Sequence, residues 1–92
     1  MREHPPHIQR LIDRLEESAA DEPSYDPRQA AAHAIEAARS DLREAHRQIA
    51  EAVRAGDMVR RAQHAEIAHR AETTAEAWEA VLEHFHAVAP RP

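Results

Sequence analysis

Ninety-two residues, a formal charge of −5 and no cysteine exclude several classes of protein at once. A chain this short supports at most one domain, expected over residues 1–92, and buries only about 60–65% of its unfolded surface. Disulfides and thiolate metal ligands are ruled out, no run approaches the ~20 apolar residues of a membrane span, and the acidic balance opposes nucleic-acid binding, which relies on Lys and Arg against phosphate.

The start, Met1 to Pro6, lacks the apolar run of a signal peptide, so a cytoplasmic location is expected. All twelve basic residues are Arg, and eight His accompany them. Protonating every His would bring the formal charge to +3, so behaviour should change between pH 7 and about 5.

A single Gly and long stretches rich in Ala, Glu, Arg and Leu point to an all-α chain, because these four are strong helix formers. The first helix is expected over 6–20. Proline suits a first turn because its missing N–H has no intrahelical partner there. Ile8, Leu11, Ile12, Leu15 and Ala19 then form one apolar face at helical spacing.

A connector rich in turn formers, Asp21 to Asp26, follows. Asp26, Pro27 and Gln29 form a helix-start signal, with the Asp as cap and the Gln reaching back as in a capping box. The second helix is expected over 27–55. Ile35, Leu42 and Ile49 recur every seven residues, and Ala31, Ala38, Ala45 and Ala52 alternate with them, a heptad seam that lets a second helix approach closely.

Gly56 ends this helix and Asp57 caps the next, so the two are expected to form a long antiparallel hairpin. The third helix is expected over 58–88. Its seam is Ala71, Ala75, Trp78, Leu82, Phe85 and Ala89, with weaker apolar residues near the turn. The first helix is expected to pack at the open end near Ile35, Trp78, Leu82 and Phe85.

With the turn at Gly56, facing residue numbers sum to about 112. Arg39 should then meet Glu72 or Glu76, joining a basic row of Arg39, Arg43 and Arg47 to an acidic row of Glu72, Glu76, Glu79 and Glu83. Arg43 should lie level with His69 and His46 level with Glu66. The first helix is too short to cover the whole hairpin. Ile49, Val53, Met58, Val59 and Ile67 are left as an apolar strip, the expected interface of a homodimer closing into a helical bundle, or of a protein partner.

Glu66 and His69 have the Glu-x-x-His spacing that ferritin-like di-metal bundles use, and Glu83 to His86 repeats it. With His46 they form the candidate metal set for zinc or iron at a dimer interface. No Gly-rich phosphate loop and no nucleophile elbow is present, so no catalytic residue is assigned. The function expected is a non-enzymatic helical interaction or regulatory protein, acting as a homodimer or as a small subunit of a complex. The second reading is a His/carboxylate metal-binding bundle.

Overall fold

The computed structural model describes residues 4–88 and holds three helices: α1 (Pro6–Asp21), α2 (Pro27–Ala55) and α3 (Met58–Ala87). The chain is all-α, with no strand among the described residues. Ala89, expected to close the α3 seam, lies outside them.

Local chemistry fixes the helix ends. The Asp26 carboxylate accepts a hydrogen bond from the Arg28 backbone N–H at 3.0 Å, and Pro27 occupies the first helical position. The Gln29 side chain, expected to reach back, is exposed and takes no part in this cap. Between α2 and α3 the chain reverses within two residues. Gly56 adopts φ +72°, a left-handed conformation that a Cβ would disfavour. Its N–H donates to the Val53 carbonyl at 3.1 Å, and the Asp57 N–H donates to the Ala52 carbonyl at 2.9 Å, the paired bonds of a Schellman motif. Asp57 then caps α3 by accepting from the Arg60 N–H at 3.0 Å. One residue thus closes one helix through its backbone and opens the next through its side chain.

α2 and α3 pack antiparallel along the hairpin, and α1 adds to both. On α2 the alanines Ala31, Ala38, Ala45 and Ala52 are buried together with Ile35, while Leu42 and Ile49 are half-buried. Across the seam α3 contributes Ala68, Ala71 and Ala75. Small residues on both sides let the axes approach, and the larger α2 side chains stand at the margin of the seam.

The widest part of the core lies at the open end. Ile8, Ile12 and Leu15 of α1 cluster with Ala31 of α2 and Val81 and Phe85 of α3. Val81 and Ile12 are the two largest side chains with no solvent exposure. Val81 is absent from the expected seam because it falls outside that seam's alternating four- and three-residue spacing, and it is buried in the cluster with Phe85 and the α1 residues. Trp78 and Leu82 are half-buried at the edge of the same cluster, and Ile35 falls outside it. The His4 and His84 rings share a hydrogen bond at 3.2 Å, and His84 stands edge-on to Phe85 at 5.1 Å. Glu16 of α1 lies 4.0 Å from His84, so this corner ties α1 to α3.

The resulting molecule measures 56 × 27 × 19 Å with a radius of gyration of 16.8 Å. A chain of this length packed as a sphere-like domain would have about 12 Å. Its accessible surface, 6720 Å², exceeds by roughly a quarter the ~5400 Å² usual for a protein of 10.4 kDa. The excess follows from a long hairpin covered by a helix of half its length.

Candidate interaction surface

The hairpin has two broad faces, and α1 occupies part of one of them. Ala30, Ala77, Ala80 and Val81 mark the α1 side. Beyond α1, toward the turn, this face continues as an open groove of about 350 Å³ with Ala38, Ala45, Ala71 and Ile67 along its floor. Its walls carry Asp41 and Glu44 on α2 and His64 and Arg70 on α3. Arg60 bridges the turn end by donating to Gln48 and to Glu51, the latter at 3.5 Å.

The opposite face has no third helix over it at any point among the described residues. At its open end Ala32, Ile35 and Leu82 line a groove of about 390 Å³, bordered by Arg39 and Glu79. At 3.6 residues per turn, Leu42, Ile49 and Val53 follow Ile35 along this side of α2. Val53 is 56% exposed, Met58 64%, Val59 69% and Ile67 43%, whereas Ile49 is half-buried. The five residues expected as one strip are therefore divided. Ile49 and Val53 belong to the uncovered face, Ile67 lies in the groove beyond α1, and Met58 and Val59 flank the turn.

The charge rows are placed differently from the expected register. Arg39 donates to Glu79 at 2.8 Å, not to Glu72 or Glu76. Side chains on a helix lean toward its N-terminus, so in an antiparallel pair Arg39 leans to the open end and Glu79 leans back to meet it. Arg43 pairs within α2 to Glu36 at 3.2 Å, and Arg47 pairs with Glu51 at 3.0 Å and with Glu44. Only Arg39 of the basic row crosses to α3. Glu72 and Glu76 make no ion pair with a described residue. The hydrogen bond from Arg47, helped by Gln48, holds the Glu44 carboxyl below its usual value.

The metal candidates are not brought together within one chain. His46, Glu66 and His69 are all exposed, and Glu66 accepts from Arg70 at 2.8 Å. Among the described residues no three His, Asp or Glu side chains converge to metal-binding range. No described helix is long and apolar enough to cross a membrane. No protein family, curated protein or solved structure matches the chain.

Proposed function

We propose that the chain is a non-enzymatic interaction or regulatory protein of the cytoplasm that works by packing its hairpin against another helical surface, as a homodimer or as a small subunit of a complex. The observation that carries this reading is surface that the fold leaves uncovered. Val53, Met58 and Val59 are each more than half exposed on a chain of only 92 residues. Large apolar side chains grouped on an otherwise polar helical surface mark interaction sites in soluble proteins.

The test is a photo-crosslinking residue placed at Val53, and separately at Ile67, in the full chain expressed in its own cells. A covalent protein adduct from either site is expected. The absence of an adduct from both would refute the reading. Stoichiometric zinc or iron in the purified protein, lost on His69→Ala, would replace it with the metal-binding one.

A further inference from the structure

The geometry points to a second copy of this chain as the occupant of the uncovered face, with the two hairpins side by side and their turns at the same end. This deepens the interaction reading and rests on it.

On the uncovered face α2 presents Arg39 and, one turn on, Arg43; both are more than half exposed. α3 presents Glu79 with Glu76 and Glu72, three and seven residues earlier, on the same side. The α2 edge of the face therefore carries Arg39 and Arg43 with Glu36 beside them, and the α3 edge is acidic. Within the chain Arg39 reaches Glu79, Arg43 turns back to Glu36, and Glu72 and Glu76 stay unpaired among the described residues. A two-fold axis parallel to the hairpin lays α2 over the α3 of the other copy at the same level. Arg39 then faces Glu76 and Glu79 of that copy, and Arg43 faces Glu72. The alternative two-fold, with turns at opposite ends, lays α3 over α3 and sets the row of Glu72, Glu76 and Glu79 against the same row of the other copy. Like charges placed opposite one another disfavour that arrangement.

Either two-fold makes every adjacent helix pair antiparallel, as in an up-down four-helix bundle, so charge is what separates them. α1 lies on the far side and obstructs nothing. Along the axis Ile35 of α2 would meet Leu82 of α3 from the other copy and Leu42 would meet Ala75, while Ile49 and Val53 lie level with the part of that α3 nearest the turn. A face about 43 Å long at 1.5 Å per residue and about 20 Å wide for two helices offers roughly 850 Å². That matches what each half of a stable dimer contributes.

The test uses the full chain and its charge-reversed variants in sedimentation equilibrium, with helicity checked by circular dichroism. The wild type is expected at twice the 10.4 kDa chain mass. Arg39→Glu with Arg43→Glu should weaken the dimer at least ten-fold, and so should Glu72→Arg with Glu76→Arg. Mixing the two variants should restore a heterodimer, because each then offers the charge the other requires. This rescue separates lost association from lost folding. Because the chain has no cysteine, a spin label on Ala55→Cys reads orientation directly. Turns at the same end give label separations below about 30 Å, and opposite ends give more than about 40 Å. A monomer at the highest soluble concentration, a dimer that survives both reversals, or widely separated labels would each overturn the inference. A monomer whose Val53 crosslinks to a different protein would overturn it while leaving the interaction reading in place.

Discussion

Ile12→Ala tests whether α1 is held by the core described above. Ile12 has no solvent exposure and sits between Ile8 and Leu15 on the buried face of α1. Truncation to Ala removes three carbons, worth about 2.4 kcal/mol at ~0.8 kcal/mol each. A cavity term adds to this when neighbours cannot move in. Here Ala31 lies in the core, with Ala30, Ala77 and Ala80 packed around it, and such short side chains have little reach to refill space. A total loss of about 3–4 kcal/mol is expected. The assay is urea unfolding followed both by helical circular dichroism and by fluorescence of Trp78, which lies at the edge of the same cluster. With an m-value near 1 kcal/mol/M for a small domain, the midpoint should fall by roughly 3 M. Gln63→Ala, at an exposed side chain of α3, serves as control and should change stability by no more than about 0.5 kcal/mol. A loss below about 1 kcal/mol for Ile12→Ala, or one no larger than the control's, would mean that α1 does not dock on Val81 and Phe85 as described.

Three further outcomes follow from the helix ends. Gly56→Ala places a Cβ that meets nothing within 4 Å, so the cost is purely that of φ +72°, about 1–2 kcal/mol, and a thermal melt should fall by roughly 4–15 °C. Asp57→Ala removes the cap on Arg60 N–H and should cost about 1 kcal/mol by urea titration, while Asp57→Asn keeps the acceptor and should cost far less. The backbone hydrogen bond from Arg28 holds the Asp26 carboxyl below its usual value. A carboxyl depressed by folding adds stability above its unfolded value, near ~3.9, and loses that contribution as pH falls through the folded value. Between about pH 5 and pH 2, Asp26→Asn should therefore lose less stability than the wild type, as read by chemical denaturation at each pH.

Much of the architecture was legible because it depends on local chemistry. Asp26-Pro27 and Gly56-Asp57 carry their own reasons for starting and stopping helices, and the observed limits of α2 agree with those signals. The end of α1, one residue beyond expectation, had no comparable signal: no basic or glycine residue closes it, and Glu22 ends it in extended backbone. The position of α1 at the open end also followed from its length and from the large residues of distal α3. Its choice of face did not. Val81 and Ile35 are both apolar residues at seam margins, and only the crossing of α1 determines that Val81 is buried in the cluster and Ile35 lies outside it. The charge rows show the same division. Their composition was plain in the sequence, but pairing by level alone placed Arg39 against Glu72 or Glu76, and the lean of both side chains brought it to Glu79. The His46, Glu66 and His69 set rested on level and spacing, and within one chain those do not fix the direction in which side chains point.

The sequence by itself determined that the chain reverses at Gly56 and that an alanine-rich seam joins the two long helices, because a positive φ and a seven-residue repeat are properties of neighbouring residues. Only the tertiary structure decided which side of that hairpin α1 takes, since either face offers apolar surface and the choice depends on how three helices fit around Val81 and Phe85. That choice leaves the face bearing Arg39, Glu79 and Val53 uncovered.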